Sequence, residues 1–391
     1  MSKILVLNKL KHKKVFVFLF ILGLNGACGP LSMPASASSN KPQDVSSTVS
    51  EDITTRTLFP IVQDGKWGLM DKSGQVVFKP QFEYHEALGE FQEGLIKIKV
   101  GNKYGYIDNS GQVVIKPRFD QAWNFYEGLA LIKVGSKWGL INKLGQIVIK
   151  PQFDDVSPFS EGLARIRVGS KLGFIKKSGQ IVVKPQFDNA SPFSEGLAQI
   201  KVGSKYGFIN KTGQVVIKPQ FNSASDFSEG LAVIVVSSKY GFINKKGQVV
   251  IKPQFNYAFG FSEGLAQIVV NSKWGYINKS GQIVIKPQFD DVSPFSEGLA
   301  RIRVGNKVGF IDQSGQIVIK AQFDNTSDFS EGLAAIKVGN KVGFIDKTGQ
   351  IVIKQMFDYA VPFSKGLAAI VVDDKWGYID KTGKLVWNPT I

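Results

Sequence analysis

The segment from Leu163 to Phe187 reads LARIRVGSKLGFIKKSGQIVVKPQF, and it predicts three short antiparallel strands. Strand one alternates apolar and polar residues up to Val168, and Gly169 then marks a tight connection to strand two. Gly179, in the next turn, suits the left-handed backbone that follows a type I turn. The segment has no 3.6-residue period, so it predicts β structure and no helix.

The end of this unit is defined by a proline and a loop. Pro185 lacks a backbone N–H, so the end of strand three is predicted to lie at a sheet edge or at the end of regular pairing. The stretch from Asp188 to Gly196 is predicted to be a loop pinned by Phe193.

The same unit recurs along the chain from Leu58 onward. The glycine of the K-x-G step returns after 37 residues and then every 34, at Gly68, Gly105, Gly139, Gly173, Gly207, Gly241, Gly275, Gly309, Gly343 and Gly377. A second glycine, in the E-G-L-A step, recurs every 34 residues from Gly94 to Gly366. Periods of this size indicate a repeat architecture.

Ten whole units fit between Leu58 and Trp387. We therefore predict an all-β tandem array of ten three-stranded β-meander repeats. Propellers often split one blade between the two termini to fasten the ring, and no unit is split here. This favours an open, superhelical, solenoid-like array, and a closed β-propeller is the alternative.

The N-terminal segment predicts export. Five lysines precede the apolar run Val15–Leu24, which is too short to span a bilayer as a mature helix. Residues 1–27 are therefore interpreted as a signal peptide. Cys28 follows small residues and resembles the acylated cysteine of bacterial lipoproteins, although Asn25 departs from that pattern. Cleavage after Ala37, as in an ordinary secreted protein, and an uncleaved anchor are the alternatives.

The next segment predicts a disordered tether. Residues 28–57 are rich in serine and proline and have no apolar periodicity. The remaining residues, 58–391, form the predicted repeat domain.

The repeats resemble the WG-repeat proteins of bacteria. The K-W-G step that names this family has its tryptophan at Trp67, Trp138, Trp274 and Trp376. The surrounding G-Y-I-D-K-x-G and E-G-L-A steps match as well, and the resemblance runs from Leu58 to Pro389. It implies a β-repeat domain, commonly on exported or surface proteins, with no established catalytic role.

The shortage of histidine and cysteine excludes much chemistry. The chain has His12, His85 and Cys28, so it cannot build a zinc site from His and Cys ligands or an internal disulfide. His85 lies between carboxylates in the inserted stretch Glu83–Glu90 and is the one general-base candidate of the mature chain. A solvated surface residue is the simpler interpretation. We expect no enzyme activity, no catalytic residue, no metal and no cofactor.

A calcium site is the weak metal alternative. The pairs Asp154-Asp155 and Asp290-Asp291 each begin an identical sixteen-residue stretch, DDVSPFSEGLARIRVG, four repeats apart. Recent duplication explains this copy better than selection for two sites.

Two aromatic columns are candidates for stacking on sugar rings. The tryptophan position runs Trp67, Tyr104, Trp138, Leu172, Tyr206, Tyr240, Trp274, Val308, Val342 and Trp376. Its neighbour runs Tyr106, Phe174, Phe208, Phe242, Tyr276, Phe310, Phe344 and Tyr378. The three aliphatic replacements favour core packing, because Leu and Val keep a buried contact but lose a stacking face. Glycan stacking by Trp138, Trp274 and Trp376 is the alternative.

Positive charge supplies the other candidate surface. Removing residues 1–27 takes away five lysines and no acid, which lowers the net charge from +16 to +11. One lysine column follows strand three, at Lys79, Lys116, Lys150, Lys184, Lys218, Lys252, Lys286, Lys320 and Lys354. A second follows the turn before strand two, at Lys103, Lys137, Lys171, Lys205, Lys239, Lys273, Lys307, Lys341 and Lys375.

These columns predict cationic ladders that hold an anionic envelope polymer, a phospholipid surface or an acidic protein. The alternative is that the lysines keep a long β surface soluble and discourage edge pairing. An acidic column from Glu161 to Glu331 is expected to neutralise part of the field.

The sequence therefore predicts a non-catalytic, exported repeat protein that binds or scaffolds at the cell envelope. Its expected partner is a protein or an anionic envelope polymer, with a membrane tether through Cys28 and no nucleic acid. A glycan- or cell-wall-binding module is the alternative function, and an enzyme is the third.

Overall fold

The computed structural model of the chain describes residues 57–83, 92–108 and 111–390, all within one compact unit, Asp52–Ile391. The predicted signal peptide, Cys28, residues 28–56 of the predicted tether and His85 lie outside the described residues.

Every regular element in the described residues is a β-strand, and the strands group into ten sheets, here called blades 1 to 10. Blade 1 contains β1 (Leu58–Gln63), β2 (Lys66–Asp71) and β3 (Val76–Glu83), and blade 2 contains β4 (Leu95–Val100), β5 (Lys103–Asp108) and β6 (Val113–Phe119). Blade 3 contains β7 (Gln121–Ala122), β8 (Leu129–Val134), β9 (Lys137–Asn142) and β10 (Ile147–Phe153), and blade 4 contains β11 (Asp155–Val156), β12 (Leu163–Val168), β13 (Lys171–Lys176) and β14 (Ile181–Phe187). Blade 5 contains β15 (Asn189–Ala190), β16 (Leu197–Val202), β17 (Lys205–Asn210) and β18 (Val215–Phe221). Blade 6 contains β19 (Ser223–Ala224), β20 (Leu231–Val236), β21 (Lys239–Asn244) and β22 (Val249–Phe255), and blade 7 contains β23 (Tyr257–Ser262), β24 (Leu265–Val270), β25 (Lys273–Asn278) and β26 (Ile283–Phe289). Blade 8 contains β27 (Asp291–Val292), β28 (Leu299–Val304), β29 (Lys307–Asp312) and β30 (Ile317–Phe323), and blade 9 contains β31 (Asn325–Thr326), β32 (Leu333–Val338), β33 (Lys341–Asp346) and β34 (Ile351–Phe357). Blade 10 contains β35 (Tyr359–Ala360), β36 (Leu367–Val372), β37 (Lys375–Asp380) and β38 (Leu385–Thr390).

The three long strands of each blade form an antiparallel meander, as predicted. In blade 4 the order is β11-β12-β13-β14, so β14, which contains Pro185, lies at the sheet edge. The β12–β13 register is regular from Leu163↔Lys176 to Val168↔Lys171. The β13–β14 ladder has register shifts at the level of the K-x-G glycine, Gly173.

The K-x-G glycine is required by close packing in the blade. A Cβ atom on Gly207 would come closer than 3.0 Å to the Ile217 carbonyl oxygen and to the Pro219 nitrogen of the neighbouring strand. The irregular ladder thus brings two backbones together where only glycine fits.

A short fourth strand was not predicted. The stretch after β14, expected to be a loop, contributes Asn189 and Ala190, which pair with Lys201 and Ile200 of β16. The same stretch places Phe193 in the core, 2% exposed, against Phe174 of the preceding blade at a ring-centroid distance of 4.9 Å.

The hydrophobic core lies between neighbouring blades. One cluster joins Phe174 and Val183 of blade 4 to Phe193, Ile200 and Ile209 of the blade 5 segment. Each blade therefore buries its faces against its neighbours, which is why a single unit has no complete core of its own.

Blade 10 packs against blade 1 and closes the array into a ten-bladed β-propeller. Phe59 of blade 1 meets Tyr378 of blade 10 with ring centroids 5.7 Å apart, and Met70 packs with Leu367 in a shared cluster. The structure thus has the propeller form that the sequence left as the alternative, rather than the open array. The absence of a split blade was a poor guide, because the ring is closed by contacts between blade faces.

A candidate basic surface on the ring

The two lysine columns have different surroundings. Lys171, at the β12–β13 turn of blade 4, donates to the Asp188 carboxylate at 2.6 Å, and that carboxylate also accepts the Gly203 N–H at 2.6 Å. The same lysine–aspartate pair recurs at Lys103–Asp120, Lys137–Asp154, Lys273–Asp290, Lys307–Asp324 and Lys341–Asp358. These lysines are engaged in contacts between successive repeats.

The aspartates of these pairs are held ionised. The hydrogen bond from Lys171, together with that from the Gly203 N–H, lowers the pKa of Asp188 below its ordinary value. The pKa values of Asp120, Asp154, Asp290, Asp324 and Asp358 are lowered in the same way. Six of the nine turn lysines therefore have their charge compensated locally, whereas Lys205, Lys239 and Lys375 have no carboxylate partner among the described residues.

The strand-three column, here called the edge-strand lysines, is exposed. Its members are Lys79, Lys116, Lys150, Lys184, Lys218, Lys252, Lys286, Lys320 and Lys354, and each is solvent-exposed on the edge strand of its blade. Among the described residues none of them has a carboxylate or hydrogen-bond partner. Blades 1 to 9 thus each carry one uncompensated cation at the sheet edge.

The acidic column connects neighbouring blades. Glu161 of blade 4 accepts from Lys211 of blade 5 at 3.0 Å and from the Gly196 N–H at 2.9 Å. Equivalent lysine–glutamate pairs are Lys143–Glu93, Lys177–Glu127, Lys245–Glu195, Lys279–Glu229, Lys347–Glu297 and Lys381–Glu331. We call this set the inter-blade clamps.

The clamp at Glu195 favours the ionised glutamate. Burial opposes ionisation of Glu195, but hydrogen bonds from Lys245 and from the Gly230 N–H outweigh it and lower the pKa. The acidic column therefore neutralises lysines that the sequence analysis had not paired with it. It leaves the edge-strand lysines without partners.

The second aromatic column lies in the core. Its tyrosines and phenylalanines from Tyr106 to Phe344 are at most 1% exposed. The hydroxyl groups of Tyr106 and Tyr276 donate to the Trp123 and Ser293 carbonyl oxygens at 2.6 and 2.7 Å. These seven residues therefore have no free face for a sugar ring, whereas Tyr378, the last of the column, is half-buried and packs against Phe59.

The tryptophan column is buried or half-buried. Trp67, Leu172, Val308 and Val342 are buried, Trp138 is 9% exposed, and Trp274 and Trp376 are half-buried. The position is therefore a packing position in half of the blades, and the ring is partly accessible at Tyr104, Tyr206, Tyr240, Trp274 and Trp376.

Blade 7 carries a local aromatic patch. Phe259, 45% exposed, stacks on Trp274 with ring centroids 5.5 Å apart and an interplanar angle of 25°. Tyr257 is 55% exposed and lies 5.2 Å from the Tyr240 ring. Both exposed rings belong to β23, which has six residues where the equivalent strand of blades 3 to 6 and 8 to 10 has two.

The two aspartate pairs are engaged with the protein. Asp154 and Asp290 each accept a lysine Nζ at 2.6 Å and a glycine N–H at 2.7 Å. Within residues 57–83, 92–108 and 111–390, no three His, Cys, Asp or Glu side chains come together as a metal-binding group. The same residues contain no helix long and apolar enough to cross a membrane.

A further set of functional residues lies in the turn before the edge strand. In nine blades an Asp or Asn at the end of the preceding strand accepts backbone N–H groups of its own turn. Blade 4 has Lys176 at this position. The column could have been read from the sequence, where Lys176 interrupts an otherwise uniform Asp/Asn position.

Comparison with solved structures supports the fold alone. The crystal structure of a eukaryotic initiation factor aligns with a TM-score of 0.50 at 11% identity, over 77% of this chain and 96% of that chain. BamB from Moraxella catarrhalis aligns at 0.37 and 10% identity, over 67% and 94% of the two chains. Hsv2p from Kluyveromyces lactis aligns at 0.35 and 9% identity, over 56% and 89%. The last two similarities are too low to support an argument.

Sequence comparison identifies the family. No curated protein matches the chain. The family described as WG containing repeat matches nine successive segments, at residues 67–104, 104–138, 138–171, 173–206, 206–240, 240–274, 274–307, 309–341 and 343–376. These segments cover most of the propeller and include the tryptophans of the four K-W-G steps, so the chain belongs to the WG-containing-repeat family.

Proposed function

We propose that this protein is a non-catalytic, exported repeat protein whose propeller binds or scaffolds an anionic polymer at the cell envelope. The observation that carries the proposal is the set of edge-strand lysines. They are exposed, they have no partner among the described residues, and they recur once per blade from Lys79 to Lys354.

A repeated cation suits a repeated anion. Each lysine contributes a weak, salt-screened attraction, and a polymer that contacts several blades adds these contacts through effective concentration. Exposed valines such as Val148 and Val216 lie two residues before Lys150 and Lys218, so each contact also offers a small apolar surface. An acidic protein surface would satisfy the same chemistry.

The N-terminal segment supports placement at the envelope. A basic region, a short apolar run and Cys28 form the order expected of an exported lipoprotein. In the proposal, Cys28 is acylated and residues 29–57 tether the propeller to the membrane. A Cys28→Ser variant that still fractionates with membranes would contradict this part of the proposal.

Glycan binding is the second candidate function, and the blade 7 patch favours it. Phe259 and Tyr257 are exposed, and Trp274 stacks directly behind Phe259. Such rings can stack on sugar faces. A salt-resistant interaction lost in Phe259→Ala would support this candidate.

The test is co-sedimentation of the purified protein with polygalacturonate at about 50 and 200 mM salt, between which the Debye length changes about twofold. One variant replaces Lys116, Lys150, Lys184, Lys218, Lys252 and Lys286 with Gln. Its matched control replaces the aspartate-paired lysines Lys103, Lys137, Lys171, Lys273, Lys307 and Lys341 with Gln, so both variants lose six charges.

We expect binding to weaken at the higher salt and to be lost in the edge-strand variant but kept in the control, once circular dichroism shows both folded. Equal loss in the two variants would mean that net charge alone matters. No binding of the unchanged protein at either salt would overturn the polymer proposal.

A further inference from the structure

The residue that begins the turn before the edge strand is Asp or Asn in nine blades and Lys176 in blade 4. In blade 5, Asn210 Oδ1 accepts the Thr212 N–H at 3.1 Å and the Gln214 N–H at 3.0 Å. Two N–H groups therefore point at one oxygen atom, which a side chain of the same turn supplies.

Blade 4 keeps the turn and lacks the oxygen. The Gly179 N–H donates to the Lys176 carbonyl oxygen at 2.9 Å, as the Gly213 N–H does to Asn210, and φ is +84° at both glycines. The Lys176 side chain has no acceptor atom, so the Ser178 and Gln180 N–H groups have no acceptor among the described residues. The backbone thus retains a pair of converging, solvent-exposed N–H donors that no side chain of the turn accepts.

Three lysines and one carboxylate, Glu161, lie around this position. Lys176, Lys177, Ser178 and Lys211 line a cleft of about 650 Å³ between the turns of blades 4 and 5. Lys177 is paired with Glu127 at 2.7 Å, and Lys211 with Glu161 at 3.0 Å. Lys176 is exposed and has no carboxylate partner within the described residues, so the cleft keeps one uncompensated cation.

We propose that the blade 4 turn is a binding site for an oxyanion, the carboxylate or phosphate group of a ligand. One oxygen of the anion accepts the Ser178 and Gln180 N–H groups of blade 4, as Asn210 Oδ1 accepts the equivalent N–H groups of blade 5. The ammonium group of Lys176 balances the charge of the anion. Backbone N–H groups that converge in this way are a recurrent means of binding anions. The cleft accommodates the rest of the ligand.

The site is separate from the edge-strand lysines and goes beyond the proposed function. The edge-strand lysines are repeated nine times and offer no directed donors. The blade 4 turn occurs once and offers two N–H groups in fixed geometry, so it recognises an anionic group by hydrogen bonding as well as by charge.

The test follows the backbone amides of the full chain by NMR. Deuterated, ¹⁵N-labelled protein is titrated with inorganic phosphate and, separately, with galacturonate, at constant ionic strength set with sodium chloride. We expect saturable shifts of the Ser178 and Gln180 amides, with a Kd of about 1 mM for a free anion. Saturation by phosphate alone or by galacturonate alone identifies the preferred group, and saturation by both indicates a general oxyanion site.

Two variants distinguish this site from general surface binding. Lys176→Asn restores the internal oxygen acceptor, so it is expected to weaken anion binding at least tenfold and to raise the melting temperature. In the unchanged protein, Asn244 Oδ1 accepts the Lys246 and Gln248 N–H groups at 3.0 Å in the equivalent turn of blade 6. The Asn244→Lys variant removes this acceptor. It is expected to create saturable shifts at those two amides.

Equal shifts at the turn amides of all blades, or an absence of saturable shifts at Ser178 and Gln180, would overturn the proposal. Unchanged binding in the Lys176→Asn variant would overturn it as well. The six-lysine edge-strand variant retains Lys176, so failure of the polymer test leaves this titration unaffected and the two proposals fail separately.

Discussion

The Lys211 Nζ atom lies 3.0 Å from the Glu161 Oε2 atom, although the two residues belong to different blades and are 50 positions apart in the chain. The same contact recurs around the ring and adds a polar connection to the apolar packing between blades. The lysine side chains of these two pairs are 45% and 44% exposed and the glutamates 30% and 29%, so each pair is expected to contribute modestly.

Removing one clamp should destabilise the ring by a measurable amount. Glu195→Gln keeps the side-chain shape but loses the charge that Lys245 and the Gly230 N–H stabilise, so we expect a loss of about 1 kcal/mol in the free energy of unfolding. Urea denaturation measures it. Blade 8 provides the matched control, because Gln313 there already replaces the lysine. Gln313→Lys should stabilise by about 0.3 kcal/mol, and destabilisation by this change would contradict the account.

Stability should fall in acid. The pKa values of Glu93, Glu195 and Glu297 lie below the ordinary value of 4.5 in the folded protein, and that of Asp188 lies below 3.8. The contribution of these carboxylates to the free energy of unfolding is therefore fully present above the unfolded-state pKa, and it is lost as the pH falls through the folded-state pKa. We expect the melting temperature to be nearly constant between about pH 5.5 and 7.5 and to drop below about pH 4.5. A melting temperature that rises on acidification would refute this.

The K-x-G glycine should tolerate no side chain. Gly207→Ala places a Cβ atom against the Ile217 carbonyl oxygen, so we expect a loss of about 4 kcal/mol or more, or failure to fold. Gly203→Ala is the matched control, since its φ is +59° but no atom lies within 4 Å of the new Cβ, and about 1 kcal/mol is expected. Ser237 occupies the equivalent position in blade 6 with φ of 47°, so the chain already tolerates a side chain there. Similar costs for the two variants would refute the steric argument.

Trp138 should behave as a core residue. It is 9% exposed and packs in a cluster with Phe153 and Phe159, so Trp138→Ala is expected to cost about 3 kcal/mol. Trp138→Leu should cost less, because Leu172 fills the equivalent position of blade 4 and is buried there. Thermal denaturation compares the two. A stable Trp138→Ala protein that has lost glycan binding would instead assign Trp138 to a ligand site.

The strands could be predicted because each is specified by its own residues. Gly169 and Gly179 fall in turns, and Pro185 lies on an edge strand, as their backbone preferences require. The short fourth strand was missed because Asn189 and Ala190 are too few to give a pattern. Their pairing depends on β16, which the local sequence does not encode.

Ring closure and the inter-blade clamps could not be predicted, because both depend on the angle between neighbouring blades. Glu161 and Lys211 are each part of a regular column, and nothing in their spacing says that blade n and blade n+1 bring them together. The same holds at the seam, where a Cβ atom on Gly74 would contact Val386 at the other end of the chain. The unusual side chain of blade 4, Lys176, was visible in the sequence. The loss of an acceptor at Lys176 became visible only from the hydrogen bonds that the Asp or Asn side chains make in the other nine turns.

The seam between blades 1 and 10 has a mechanical consequence. The sheets of blades 1 and 10 contain β1-β2-β3 and β35-β36-β37-β38, so neither sheet combines strands from the two ends of the chain. Pulling on the two termini would therefore load the contacts between the faces of blades 1 and 10 before any strand pairing. The ring would open at the seam under low force, and the blades would then unfold one at a time from the two ends at higher force.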